Sequence, residues 1–260
     1  MENKKIIYYN DELNDEFSTA KITPRKIDEN YLYIHTNPLW NITSWILQNI
    51  ISMPIKILYS KIKFRIKYVG KEKLRQYKNT GYFIYANHTQ AFADTFIPSL
   101  ANYPKRNFFI VNPENVSMKG LSTIVEMLGA IPVPDDKTAM KNFLETIQER
   151  IEKKQSITIY PEAHIWPYYT KIRPFKDVSF KYPIKLEKPA FCITNTYQAY
   201  GKNNDKIKMV TYIDGPFFEE NISNKKQAQK NLRDKIYNCM AERSKNSNIE
   251  HIKYVKTPSK

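Results

Sequence analysis

Apolar and polar positions follow two rhythms along this chain. Compact apolar runs at 82–86, 107–111, 130–133, 156–160, 189–193 and 207–213 read as buried strands. Between them the period lengthens. Over 138–153, Met140, Phe143, Leu144, Ile147 and Ile151 make one apolar stripe with charges opposite, which predicts a helix, and 225–245 follows the same pattern. Strands alternating with helices predict an α/β fold, a central mostly parallel or mixed sheet flanked by helices.

The N-terminal part departs from this rhythm. Residues 36–55 carry no charge, long enough for a membrane span, but Asn37, Asn41, Gln48 and Asn49 would each need a partner in hydrocarbon. Between Pro38 and Pro54, Leu39, Ile42, Trp45, Ile46 and Ile50 recur at helical spacing. They predict an amphipathic helix of about four turns, lying either in a membrane interface or on the protein's own core. Next, 61–68 alternates strictly between basic and apolar residues, which predicts a strand with one cationic face closed by Gly70. The resulting division is an N-terminal segment with the interfacial helix (1–60), an α/β domain (61–245) and a loose polar tail (246–260).

Charge narrows the partners. With 41 Lys+Arg against 26 Asp+Glu, a formal net charge of +15, the chain calls for a polyanion, either nucleic acid or the anionic cytoplasmic leaflet. The cations are scattered, and no zinc-ligand spacing, RNA-recognition signature or basic docking helix accompanies them, so no nucleic-acid partner is expected. The charged first residues lack a secretory apolar core. Cys192 and Cys239, far apart and without C-x-x-C spacing, fit a reducing compartment.

Two strand ends carry candidate chemistry. The run at 82–86 leads into Asn87, His88 and, further on, Asp94; the run at 156–160 leads into Pro161, Glu162 and His164. Ligands bind at the carboxyl ends of strands in open α/β sheets. A histidine there can take a proton from a hydroxyl, and a carboxylate on its other nitrogen fixes the tautomer. Lys171, Arg173 and Lys176 lie close downstream and could hold a phosphate. The structural alternatives are a helix cap at Asn87 or Thr89 and a solvated, proline-bounded loop at 161–176. His35 and His251 read as surface residues, and His164 as either a site residue or a loop flank.

In order and placement, Asn87-His88 with Asp94, Pro161-Glu162 and Pro174-Phe175-Lys176 resemble the motifs of the glycerolipid acyltransferases typified by lysophosphatidate acyltransferase, from about Lys61 to Asp214. That resemblance implies a role for each residue. His88 would be the general base and Asp94 its orienter; Asn87, Glu162, Arg173, Lys171, Lys176 and Lys119 would bind substrate. By the same resemblance the enzyme would be an O-acyltransferase of phospholipid synthesis, peripheral on the cytoplasmic face of the membrane. It would use no metal and no resident cofactor, only an acyl-CoA or acyl carrier protein thioester as co-substrate, with a lysophospholipid as acceptor. Three departures stand out: five residues rather than four separate His88 from Asp94, Ala163-His164 replaces Gly-Thr, and the segment 129–136 holds acidic residues but no Arg. On a regular helix His88 and Asp94 would lie about 240° apart, so they can meet only if His88 sits in the preceding loop. The missing Arg leaves room for an acceptor other than a phosphorylated one. A catalytically inactive basic lipid-surface scaffold, or a nucleic-acid-binding protein, is the alternative outside the enzyme class.

Overall fold

A computed structural model describes residues 5–17, 22–202, 206–219 and 223–258. Along the chain come β1 (Lys5–Tyr9), α1 (Pro38–Ile46), a π-helical stretch (Leu47–Ser52), α2 (Met53–Phe64), β2 (Lys67–Val69), α3 (Lys71–Gln76), β3 (Tyr82–Ala86) and α4 (Ala93–Asn102). After these lie β4 (Asn107–Val111), α5 (Ser122–Met127), β5 (Ala130–Pro132), α6 (Met140–Glu152), β6 (Ser156–Ile159), α7 (Lys181–Leu186), β7 (Ala190–Tyr200), β8 (Lys206–Phe217), α8 (Lys225–Ser244) and β9 (Ile252–Lys256). Seven strands form one sheet in the order β2-β8-β7-β3-β6-β4-β5. All neighbours are parallel except β7 and β8, so β8 and β2 run opposite to the other five.

The pleat explains the two-sided core. On β3 all five residues are buried; Phe83 and Tyr85 point to one face, Tyr82, Ile84 and Ala86 to the other. The first face packs against Phe143, Ile147 and Ile151 of α6 and Leu232, Ile236 and Met240 of α8. On the second lie Ile97 and Ala101 of α4, Leu74 of α3 and Phe64 of α2. Gly70 ends β2 with φ +87°, and a Cβ there would come within 2.3 Å of the Ile213 carbonyl oxygen, so only glycine fits this turn.

Three expectations change here. The helix from Pro38 does not stop at Pro54: the π turn carries the chain on into α2, and Pro54, at its start, falls where the regular i→i−4 ladder is already interrupted. The strand expected over 61–68 is helical as far as Phe64, with Arg65 at φ 45° closing α2, and only Lys67–Val69 is a strand. Met53, Lys56, Ser60 and Phe64 recur every three or four residues on the buried side of α2, and this periodicity outweighs the local alternation. A domain boundary at residue 60 therefore falls inside a helix. The polar tail is also structured, because β9 pairs in parallel with β1, from Lys5 opposite Ile252 to Tyr9 opposite Lys256.

The α1–α2 path is amphipathic in an inverted sense. Its protein-facing side carries the polar Ser44, Gln48, Lys56 and Ser60 beside Met53 and Phe64, all buried, whereas Leu39, Ile42, Trp45, Ile46, Ile50, Ile55, Leu58 and Ile62 are exposed. The five residues of the expected apolar stripe thus face outward, not onto the core. Among the described residues, no helix is long and apolar enough to cross a membrane.

Candidate active site

Because β6 and β7 both flank β3 in parallel, their chain ends and that of β3 open at the same edge of the sheet. From β3 comes the loop Asn87–Gln90, from β6 the loop beginning at Tyr160, and from β7 the side chain of Asn195. His88 lies in the loop ahead of α4, and its Nδ1 is 2.9 Å from Oδ2 of Asp94. The extra residue between them is absorbed because the loop folds around the carboxylate: Thr89 and Gln90 donate their backbone N–H groups to the same Oδ2 at 2.6 and 2.8 Å. Asn195 Nδ2 reaches Asp94 Oδ1 at 3.3 Å, and Thr211 donates to Asn195 Oδ1. Asp94 is fully buried, so these donors take the place of water around its charge.

His88 itself keeps 16% of its side chain exposed. Its ring stacks on Tyr160, centroids 4.4 Å apart, and the Tyr160 hydroxyl donates to the Asp94 carbonyl. Burial pushes the Tyr160 phenol well above its ordinary value, so it stays a neutral donor and ring face. Nδ1 is held by Asp94, and Nε2 bonds to none of the described residues. An imidazole held on one side by a carboxylate and open on the other is built to accept a proton from a bound hydroxyl.

Glu162 closes the floor. One carboxylate oxygen accepts the His88 backbone N–H at 2.9 Å, the other the Arg173 N–H at 2.9 Å. The Arg173 guanidinium lies 3.4 Å from Glu162 and also donates to the His164 carbonyl. Burial pushes the Glu162 carboxyl up, while Arg173 and the two backbone donors pull it down. The Glu162 loop is laced to the His88 loop, with Trp166 N–H to the His88 carbonyl and Tyr168 N–H to the Thr89 carbonyl, each 3.1 Å. Ala163, which stands where the resemblance has glycine, sits at φ 64°, a left-handed conformation that costs an L-residue about 1–2 kcal/mol.

Trp166 anchors this loop. It is fully buried, donates from Nε1 to the Asp15 carbonyl at 2.8 Å, and meets the rings of Tyr9, Phe17, Tyr169 and Tyr254 at 4.8–5.2 Å. The paired strands β1 and β9 supply Tyr9 and Tyr254, so the expected tail buttresses the site loop.

The expected substrate-binding residues separate. Asn87 is buried, and its amide bridges the Asn195 backbone at 2.8 and 3.0 Å, which ties β3 to β7. Arg173 is fully buried beside Glu162 and supports that carboxylate. Lys119, Lys171 and Lys176 are exposed, and none bonds to the His88 cluster. His164 lies on the loop flank, 3.5 Å from Glu16. His251 is exposed, as expected of a surface residue, and packs on Tyr168; His35 is half-buried and stacks on Trp40. Sequence reasoning missed Tyr160, Asn195 and Trp166. For Asn195 a signal existed in Thr194-Asn195-Thr196, a polar run directly after the apolar residues 190–193 of the same strand.

Among the described residues, one trio has ligand atoms close enough to share a metal ion: Cys192, Asp214 and Cys239. Lys73 and Arg243 occupy both Asp214 oxygens, at 2.7–2.8 Å, which leaves two thiols, too few for a closed site. The thiols themselves, remote in sequence, lie 3.7 Å apart.

Comparison with known proteins places this geometry. A family model described as Acyltransferase matches residues 65–195, just over half of the chain, including both strand-end loops. No curated protein matches. Among solved structures, the fold is similar to the crystal structure of the 1-acyl-sn-glycerophosphate (LPA) acyltransferase PlsC from Thermotoga maritima. The TM-score is 0.54 and the identity 15%, over 81% of this chain and 89% of that one.

Proposed function

This chain belongs to the acyltransferase family, and from that premise we propose that it moves a fatty acyl group from a thioester to the free hydroxyl of a lysophospholipid at an anionic membrane surface. The observation that carries the reading is the His88–Asp94 pair, with Nε2 open at the carboxyl edge of the sheet. His88 Nε2 takes the proton of the acceptor hydroxyl as its oxygen attacks the thioester carbonyl carbon. The tetrahedral adduct then collapses: the C–S bond breaks, the ester remains, and the thiolate leaves with the proton from the imidazolium. No residue is acylated, and no metal or resident cofactor is required. Asp94 orients His88 and stabilises its cation. Glu162 holds the backbone of His88 in place and, through it, the base.

The inverted amphipathicity of α1–α2 supports a membrane surface as the working place. An exposed apolar band rich in Ile, Leu and Trp is costly in water and suited to the interface, where an acyl chain can reach His88 without crossing solvent. The charge of +15 favours an anionic leaflet, and we assign the protein to the cytoplasmic face as a peripheral enzyme. Acyl-CoA and acyl carrier protein are the candidate donors.

The test is thiol release and acyl-lipid formation by purified protein in anionic mixed micelles, over a panel of lysolipids, with wild type beside His88→Ala. Turnover by the wild type alone supports the reading. Turnover by His88→Ala refutes the base, and an inactive wild type that still binds vesicles points to a scaffold.

A further inference from the structure

Cys192 and Cys239 are the two cysteines of this chain, 47 positions apart, and acyl transfer gives neither a role. The fold brings them together. Cys192 stands on β7 opposite Asp214 of its antiparallel neighbour β8, with its side chain in the core that α8 covers. Cys239 lies on α8 three residues beyond Ile236, beside the residues with which that helix packs on the sheet. The Cys192 thiol donates to the Cys239 sulfur across 3.7 Å. Both thiols are free, Cys192 fully buried and Cys239 half-buried.

The surroundings give the two sulfurs different roles. Arg243, one turn beyond Cys239, and Lys73 of α3 bond the Asp214 carboxylate at 2.7–2.8 Å, so two cations stand near the thiols. The hydrogen bond from Cys192, the largest influence, holds the Cys239 thiol below its ordinary value; Arg243 adds to this, and burial and Asp214 oppose it. Cys192, which gives that hydrogen bond and is buried, is pushed well above its own. Cys239 is therefore the more acidic sulfur and the one that solvent reaches, the two requirements of an attacking thiol. Cys192 waits behind it. Three residues further along β7, Asn195 reaches Asp94, so the pair sits on a strand that frames the base.

We propose that Cys192 and Cys239 form an oxidisable dithiol, which hydrogen peroxide converts into an intramolecular disulfide tying α8 to β7. The Cys239 thiolate attacks one peroxide oxygen; the O–O bond breaks, hydroxide leaves and takes up a proton as water, and Cys239 becomes a sulfenic acid. The Cys192 sulfur then attacks the Cys239 sulfur. The S–O bond breaks, and the departing hydroxide takes the Cys192 proton as a second water. The two thiols have lost two electrons, and peroxide has gained them. Side-chain rotation closes the gap from 3.7 Å to the about 2.05 Å of an S–S bond. In a reducing compartment such a bond is transient and registers oxidation, and a dithiol reductant reverses it by exchange. The site does not depend on the acyl-transfer reading.

To test this, the purified chain is treated with excess hydrogen peroxide at neutral pH, unfolded in iodoacetamide and weighed intact by mass spectrometry, with and without dithiothreitol. The wild type should lose two hydrogens, take up no alkyl group, stay monomeric on a non-reducing gel and recover both thiols in dithiothreitol. Cys192→Ser should instead carry a sulfenic acid on Cys239 that dimedone traps, and longer exposure should take it to acids that dithiothreitol does not restore. Cys239→Ser should keep Cys192 reduced, because that sulfur is closed to solvent. A wild type alkylated at both cysteines after peroxide, or joined into dimers through Cys239, overturns the proposal, as does dimedone labelling as strong as in Cys192→Ser. The wild-type measurements stand even where a serine variant fails to fold. Because the bond closes a loop between positions 47 apart, the oxidised protein should melt about 10 °C above the reduced one. An oxidised form that melts lower overturns the fit of the bond to the native fold.

Discussion

Asp94→Asn isolates what the carboxylate contributes to the chemistry. The amide is nearly isosteric, and its oxygen can keep accepting from Thr89 and Gln90, so the loop around His88 should hold its shape, with only the long 3.3 Å bond from Asn195 Nδ2 lost to the new NH2. The main loss is the negative charge facing the imidazolium. With Nδ1 and Oδ2 2.9 Å apart, the two charges are centred about 4 Å from each other, and at an effective dielectric of about 20 their attraction is about 4 kcal/mol. All of it is gained only once His88 carries the proton, so the loss falls on the transition state: kcat should drop roughly a thousandfold with KM little changed. Initial rates of thiol release at saturating acceptor measure this, with a thermal melt to confirm that the variant is folded. The double variant with His88→Ala should be no slower than His88→Ala alone, because the carboxylate acts through the base. A folded Asp94→Asn that loses less than about tenfold in kcat would refute the dyad.

Glu162→Gln would leave Arg173 as an uncompensated buried charge and should destabilise the protein by about 3–5 kcal/mol by urea titration, with activity falling as His88 loses its anchor. Lys56 should make stability depend on alkaline pH. Its folded pKa of about 8 lies below the ordinary 10.5, so the penalty is complete below about 8 and is relieved as pH rises from 8 to 10.5. The wild-type stability, measured against Lys56→Met to cancel the tyrosines, should gain up to about 3 kcal/mol across that window; a flat difference would contradict the burial of the charge. Replacing Ile42, Ile50 and Leu58 by Asp should abolish sedimentation with anionic vesicles and leave the melting temperature near wild type, since all three side chains are more than half exposed; unchanged partitioning would remove the apolar band from the binding surface.

How much was legible in the chain varies with how local the information is. The strands β3 and β4 occupy the residues expected of them, because wholly apolar runs bounded by turns have few alternatives. The alternation at 61–66 misled because the side that must be buried is set by α4 and the sheet beneath, and only a four-residue spacing meets them. β9 could not be foreseen, since its partner is β1 at the opposite end of the sequence. The site shows the same divide. His88, Asp94 and Glu162 were visible from their places after strands, and the loop geometry that reconciles their spacing comes from Asp94 gathering backbone donors. Arg173 and Asn87 were visible as polar residues, but the buried pairing of Arg173 with Glu162 across its own loop and of Asn87 with β7 depends on how those segments fold together. Lys56 attracted no notice, since nothing local distinguishes a lysine on the buried side of a helix from one in solvent.

The ring cluster around Trp166 has a consequence for the order of assembly. It joins Tyr9 and Phe17 to Tyr254, so the contacts that brace the Glu162 loop have among the largest sequence separations in the molecule. During synthesis the strands that carry His88 and Glu162 leave the ribosome well before Tyr254 does. The nascent sheet can form first, and the ring packing that braces the Glu162 loop is completed when β9 pairs with β1. Bracing of the Glu162 loop thus waits on β9, the strand latest in the chain among the described residues.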